Sequence, residues 1–103
     1  MKGFIVWLIP LDPSGVQRNR DFVAKNKGKL FGGGKAAMQE DGRLKCEWSF
    51  DGKLTGAMPD GAKRMMLLNF TNSLDSAIAK KTNVRYEVQF IGDEGKVEED
   101  GQS

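Results

Sequence analysis

The sequence predicts an α+β domain in which two helices cover one antiparallel sheet, in the β-α-β-β-α-β order of ferredoxin-like folds. Three observations carry this expectation. Residues 43–50 and 84–90 alternate apolar and polar side chains with the period of a half-buried strand. Leu67, Phe70, Leu74 and Ile78, with Ala77, recur at helical spacing. Turn signals at Asp12-Pro13-Ser14-Gly15, Asp41-Gly42 and Asp60-Gly61 separate the periodic stretches. With 103 residues the chain suits one domain with one core. That domain is expected over residues 1–92, followed by an acidic, disordered tail over 93–103.

Phe4-Ile5-Val6-Trp7-Leu8-Ile9 is β-branched and aromatic and reads as the first strand, weakening at Pro10, which has no N–H to donate. Ser14 then offers a helix cap. Val16, Val23 and Leu30, with Phe22, form a sparse apolar stripe, and Gly28 marks the end. Asn19, Asn26 and the shortage of apolar residues weaken this helix. If residues 20–31 were extended instead, the chain would suit a small OB-like β-barrel with one helix. Phe31 to Lys35 is a glycine-rich break. Lys35–Glu40 and Arg43–Phe50 then flank Asp41-Gly42, the dipeptide favoured in two-residue hairpin turns. Asp51-Gly52 repeats the turn signal, so a short arm at Lys53–Ala57 extends the meander. Asp60 is the expected N-cap of a helix over about residues 62–81, with Lys80 and Lys81 at its negative end. Residues 64–69 read alternatively as a strand. Val84, Tyr86, Val88 and Phe90 form the apolar side of the last strand.

Composition removes several functions. There is no histidine, so Ser-His and Cys-His nucleophile pairs and imidazole metal sites are absent. Cys46 is the single cysteine, which precludes an internal disulfide and a four-ligand zinc finger. It lies between Leu44 and Trp48 on an apolar strand face, as a buried structural thiol would. No acidic residues form a paired catalytic motif, and Asp41, Asp51 and Asp60 are explained by turns. Gly32-Gly33-Gly34-Lys35 lacks the spacing of a phosphate loop, has Ala36 where a hydroxyl would be needed and precedes a strand. Gly15-Val16-Gln17-Arg18 resembles the anion loop of acylphosphatases over those few residues. The arginine-bearing glycine loop and catalytic asparagine of that family do not align, so none of its sites carries over. The expectation is a non-enzyme with neither cofactor nor metal. No spanning segment or export signal is visible, which points to the cytoplasm and away from membranes.

The net charge of +2 is unevenly spread. Between Ser14 and Lys35 stand Arg18, Arg20, Lys25, Lys27, Lys29 and Lys35 against Asp21 alone, while five acids from Asp93 onward face only Lys96. A basic body suits a phosphate-bearing partner. If helices cover the Phe4, Val6 and Leu8 side of the first strand, Ile5, Trp7 and Ile9 turn to the other side, beside Arg43, Lys45, Glu47 and Ser49. An aromatic among cations on an open sheet is how single-stranded nucleic acid is held. Nucleic acid is therefore the expected partner, through Arg18, Arg20, Lys25, Lys27, Lys29, Lys35 and Lys45 for phosphates and Trp7 for stacking. A protein partner, bound as by an inhibitor or adaptor, is the alternative. A homodimer packed through the sheet face, with a small-ligand pocket between the copies, is the third.

Overall fold

The structure is a computed structural model and describes residues 2–50, 57–78 and 83–92, with side chains described through Leu74 in the second segment. Strand β1 spans Gly3–Pro10, helix α1 Pro13–Asn26, a 3₁₀ turn Phe31–Gly33, β2 Lys35–Met38, β3 Leu44–Ser49, α2 Asp60–Ile78 and β4 Val84–Ile91. The strands form one open sheet in the order β2-β3-β1-β4, every neighbouring pair antiparallel. Two helices against an open antiparallel sheet make a small α+β fold. Because residues 13–26 are helical and the sheet ends in edges at β2 and β4, the barrel alternative is set aside. The residues expected as the arm from Lys53 to Gly56, as the helix end at Lys80 and Lys81, and as the tail from Asp93 lie outside the described residues.

The register explains which side is core. Phe4, Val6 and Leu8 of β1 stand opposite Trp48, Cys46 and Leu44 of β3 and opposite Phe90, Val88 and Tyr86 of β4. Phe22 and Val23 of α1 and Phe70 and Leu74 of α2 pack against this same side. Both helices therefore cover one face. Trp48, 1 % exposed, is the centre of the core. Its ring stacks on Phe4 at 5.0 Å and meets Phe70 edge-on at 4.8 Å, while Nε1 donates to the Phe31 carbonyl at 2.8 Å. The indole N–H would otherwise be buried without a partner.

Four local expectations change. The cap of α1 is Asp12, not Ser14. The Asp12 carboxylate accepts from the Gly15 amide at 3.0 Å and from the Ser14 hydroxyl. Pro13 follows as the first helical residue, where a missing N–H costs nothing. The helix ends earlier, at Asn26, so Leu30 lies beyond it. Its last carbonyls are closed by Lys27 N to Ala24 O (3.4 Å) and Gly28 N to Val23 O (3.1 Å), with Lys27 left-handed at φ 54°.

The hairpin loop has three residues, not two. Gln39 and Arg43 close it (Gln39 N to Arg43 O, 2.8 Å), and Gly42 carries the positive φ of 91°. The extra residue matters because strand faces alternate. It places Ala36 opposite Cys46 in the core and sends Lys35 to the other side, opposite Glu47. Finally, α2 begins at Asp60, whose carboxylate lies in the first turn. The Pro59 carbonyl accepts from Ala62 N and Lys63 N, so Asp60 is not the cap, and the strand alternative at 64–69 gives way to helix.

Candidate nucleic-acid interface

The sheet face turned away from the helices carries Ile5, Trp7 and Ile9 from β1, Lys45, Glu47 and Ser49 from β3, Lys35 and Ala37 from β2, and Arg85, Glu87 and Gln89 from β4. These are the alternate residues of strands whose other side is core, so the folding pattern fixes their common orientation. The expected apolar strip is not bare. Ile5 is only 4 % exposed, flanked in register by Glu47 and Gln89, and Trp7 and Ile9 are half-buried. Long polar side chains lay their aliphatic stems on such strips while their heads stay wet.

Trp7 is held on several sides. Its Nε1 donates to Gln89 Oε1 at 2.7 Å. The Arg43 guanidinium carbon lies over the ring, 4.4 Å from its centroid, and Lys45 Nζ lies 5.9 Å from it. Both distances fall within cation–π range. Arg43 is anchored in turn by Asp41: Nε donates to Oδ2 at 2.7 Å and the Arg43 amide to Oδ1 at 3.1 Å. Those contacts, the amide first, hold the Asp41 carboxyl below the usual carboxylate range.

The sequence-expected cations fall on two sides of the molecule. Lys35 and Lys45 share the open face with Trp7. Lys29 joins them, because an antiparallel bridge sets it opposite Lys35. Neither Lys29 nor Lys35 has an acidic partner among the described residues, and like charges directly opposite repel. Lys45 Nζ is 3.6 Å from Glu47, and Arg85 pairs with Glu87 at 2.5 Å. Arg18, Arg20 and Lys25 instead ride on α1, and Lys27 on its exit, on the helix-covered side. Arg18 donates to Asn83 Oδ1 at 3.1 Å. One continuous basic surface running from Arg18 to Lys35 is therefore not formed. Arg43 was not among the expected contacts. Its parity with Lys45 along β3 had already set it on the face of Trp7, which was the signal for including it.

Elsewhere the chemistry is quiet. Burial pushes the Cys46 thiol up to about 12, which keeps it protonated and unreactive. Among the described residues no group of three potential ligands could hold a metal ion, and no helix is long and apolar enough to cross a membrane. A cleft of about 630 Å³ opens between α2 and β4, lined by Arg64, Leu67, Leu68, Thr71, Tyr86, Val88 and Phe90. No protein-family model, curated protein or solved structure matches the chain.

Proposed function

We propose that this is a non-enzymatic domain of the cytoplasm that binds single-stranded nucleic acid across the open face of its sheet. The observation that carries the reading is the gathering of Trp7, Arg43, Lys45, Lys35 and Lys29 on the sheet face that no helix among the described residues covers. Phosphates would replace the missing counter-charges of Lys29 and Lys35, and bases would lie along β1 and β3. The fold reading behind it is the ferredoxin-like one, supported by the central position of β1 and β3 and by both helices lying on one side. The experiment is anisotropy of a labelled single-stranded oligonucleotide over a range of salt. Affinity falling steeply with salt supports the reading; absence of binding at low salt removes it.

The second reading is a protein-binding inhibitor or adaptor, and the cleft between α2 and β4 favours it. Leu68 is half-exposed there and the Arg64 guanidinium lies 5.7 Å from the Phe90 ring, an apolar floor with one cation at its rim. Loss of a partner's binding on Leu68→Glu, with oligonucleotide binding unchanged, would separate the two. A face-to-face homodimer is less favoured than the sequence suggested, because Ile5 is already covered.

A further inference from the structure

We propose that Arg43, supported by Trp7, is the platform on which an unpaired nucleobase stacks, so that Trp7 serves from beneath and does not itself touch the base. The inference rests on the open-face reading above and names its base-binding subsite.

Four observations converge. Arg43 already occupies a face of the Trp7 ring at 4.4 Å, so a base cannot reach that face unless Arg43 leaves. Asp41 holds Arg43 there by its Nε edge and by its main-chain amide, fixing the side chain from the hairpin loop. Trp7 is pinned by Gln89, so the support is rigid as well. The terminal Nη groups of Arg43 have no hydrogen-bond partner among the described residues, although Nε is used.

A guanidinium is planar, weakly hydrated on its faces and rich in in-plane donors. Lying over Trp7 with its side chain 41 % exposed, the group leaves its outer surface for a second flat π-system, and its Nη donors are available to a phosphate or a base edge. Unpaired bases stack on arginine planes in this way. Lys45, 5.9 Å from the same ring, adds charge but no plane. Lys29 and Lys35, farther across the sheet face, would take backbone phosphates whatever the base.

The test compares a labelled oligodeoxyadenylate with an abasic deoxyribose-phosphate oligomer of the same length, for the wild type, Arg43→Lys and a Lys35→Ala/Lys45→Ala double variant. Arg43→Lys keeps the charge at a half-buried loop position and removes the plane together with the Nε bond to Asp41. The wild type is expected to bind the base-bearing strand more tightly. Arg43→Lys should lose roughly tenfold on that strand and little on the abasic one. The double variant should lose similar factors on both. If Arg43→Lys keeps the wild-type ratio between the strands while the double variant still binds weakly, the platform is wrong and the open-face reading stands. Equal wild-type affinity for both strands also overturns the platform. No binding of either strand at low salt overturns both.

Discussion

Asn19 shows how a single side chain can hold the sheet to its cover. It is 1 % exposed, and its Nδ2 donates to the Leu8 carbonyl at 3.1 Å and the Gly42 carbonyl at 3.0 Å. One amide thus ties α1 to the end of β1 and to the hairpin loop. In the sequence the same residue looked like an argument against a helix, since asparagine competes for backbone bonds. Its partners lie 11 and 23 residues away, so local pattern could not reveal them. Asn19→Ala removes both bonds and leaves the Gly42 carbonyl without its side-chain donor, while the Leu8 carbonyl keeps its place in the ladder with Leu44, and should cost about 2 kcal/mol in urea unfolding. A cost within a few tenths would mean the Gly42 carbonyl finds another donor. Cys46 gives a second residue-scale expectation. Because burial raises its pKa, a thiol reagent at pH 8 should modify it only as fast as the chain unfolds. Asp41 gives a third. Its pKa is lowered, so its hold on Arg43 is complete above the unfolded carboxylate value near 3.9 and is lost as pH falls through the lower folded value. Tryptophan emission should therefore shift below about pH 4 as Arg43 leaves Trp7, and Asp41→Asn should abolish that step.

At the scale of elements, most of the architecture was legible and most of the joints were not. The strands at 43–50 and 84–90 were readable because apolar residues alternate, the strand at Phe4–Ile9 because its run is β-branched and aromatic, and α2 because its stripe runs for several turns. The hairpin was misread by one residue, since Asp-Gly serves both two-residue turns and the glycine end of a three-residue loop. That single residue decides the site, because it turns Lys35 to the open face. The end of α1 was marked by Gly28, whose amide closes on the Val23 carbonyl, but the left-handed turn begins one residue earlier, at a lysine, which the sequence did not show. Lys27→Gly should relieve the strain of φ 54° and stabilise the fold by about 1 kcal/mol, seen as a higher urea midpoint with an unchanged slope. Gly42→Ala should do the reverse. Its φ is 91°, and a Cβ there would come within 2.8 Å of Val16 Cγ2.

On the scale of the whole molecule, the sheet divides the cations that looked like one cluster in sequence. The run from Arg18 to Lys35 starts on α1, above the core side, and ends on β2, whose lysine faces away from it. A charge run shows only that cations are close along the chain. Strand parity and helix placement decide which of them share a surface, and the parity of β2 depended on the loop count. The sequence placed Trp7 and Arg43 together on the uncovered face, but not the arginine over the ring. That contact joins the loop at 41–43 to the middle of β1, and only the antiparallel register brings them together. The same assembly leaves the α2/β4 cleft, whose two walls come from adjacent but separate elements and leave no motif in the sequence.

The open sheet face as the binding surface is tested most directly by oligonucleotide anisotropy on two double variants, Lys35→Ala/Lys45→Ala on the sheet side and Arg20→Ala/Lys25→Ala on the helix side. Each removes two positive charges, so a purely global charge effect would weaken both equally. The sheet-side variant should bind more weakly and lose about 1.4 from the slope of log affinity against log salt, with the helix-side variant close to wild type. Loss of binding in the helix-side variant alone, or equal loss in both, would contradict the assignment of binding to the open face.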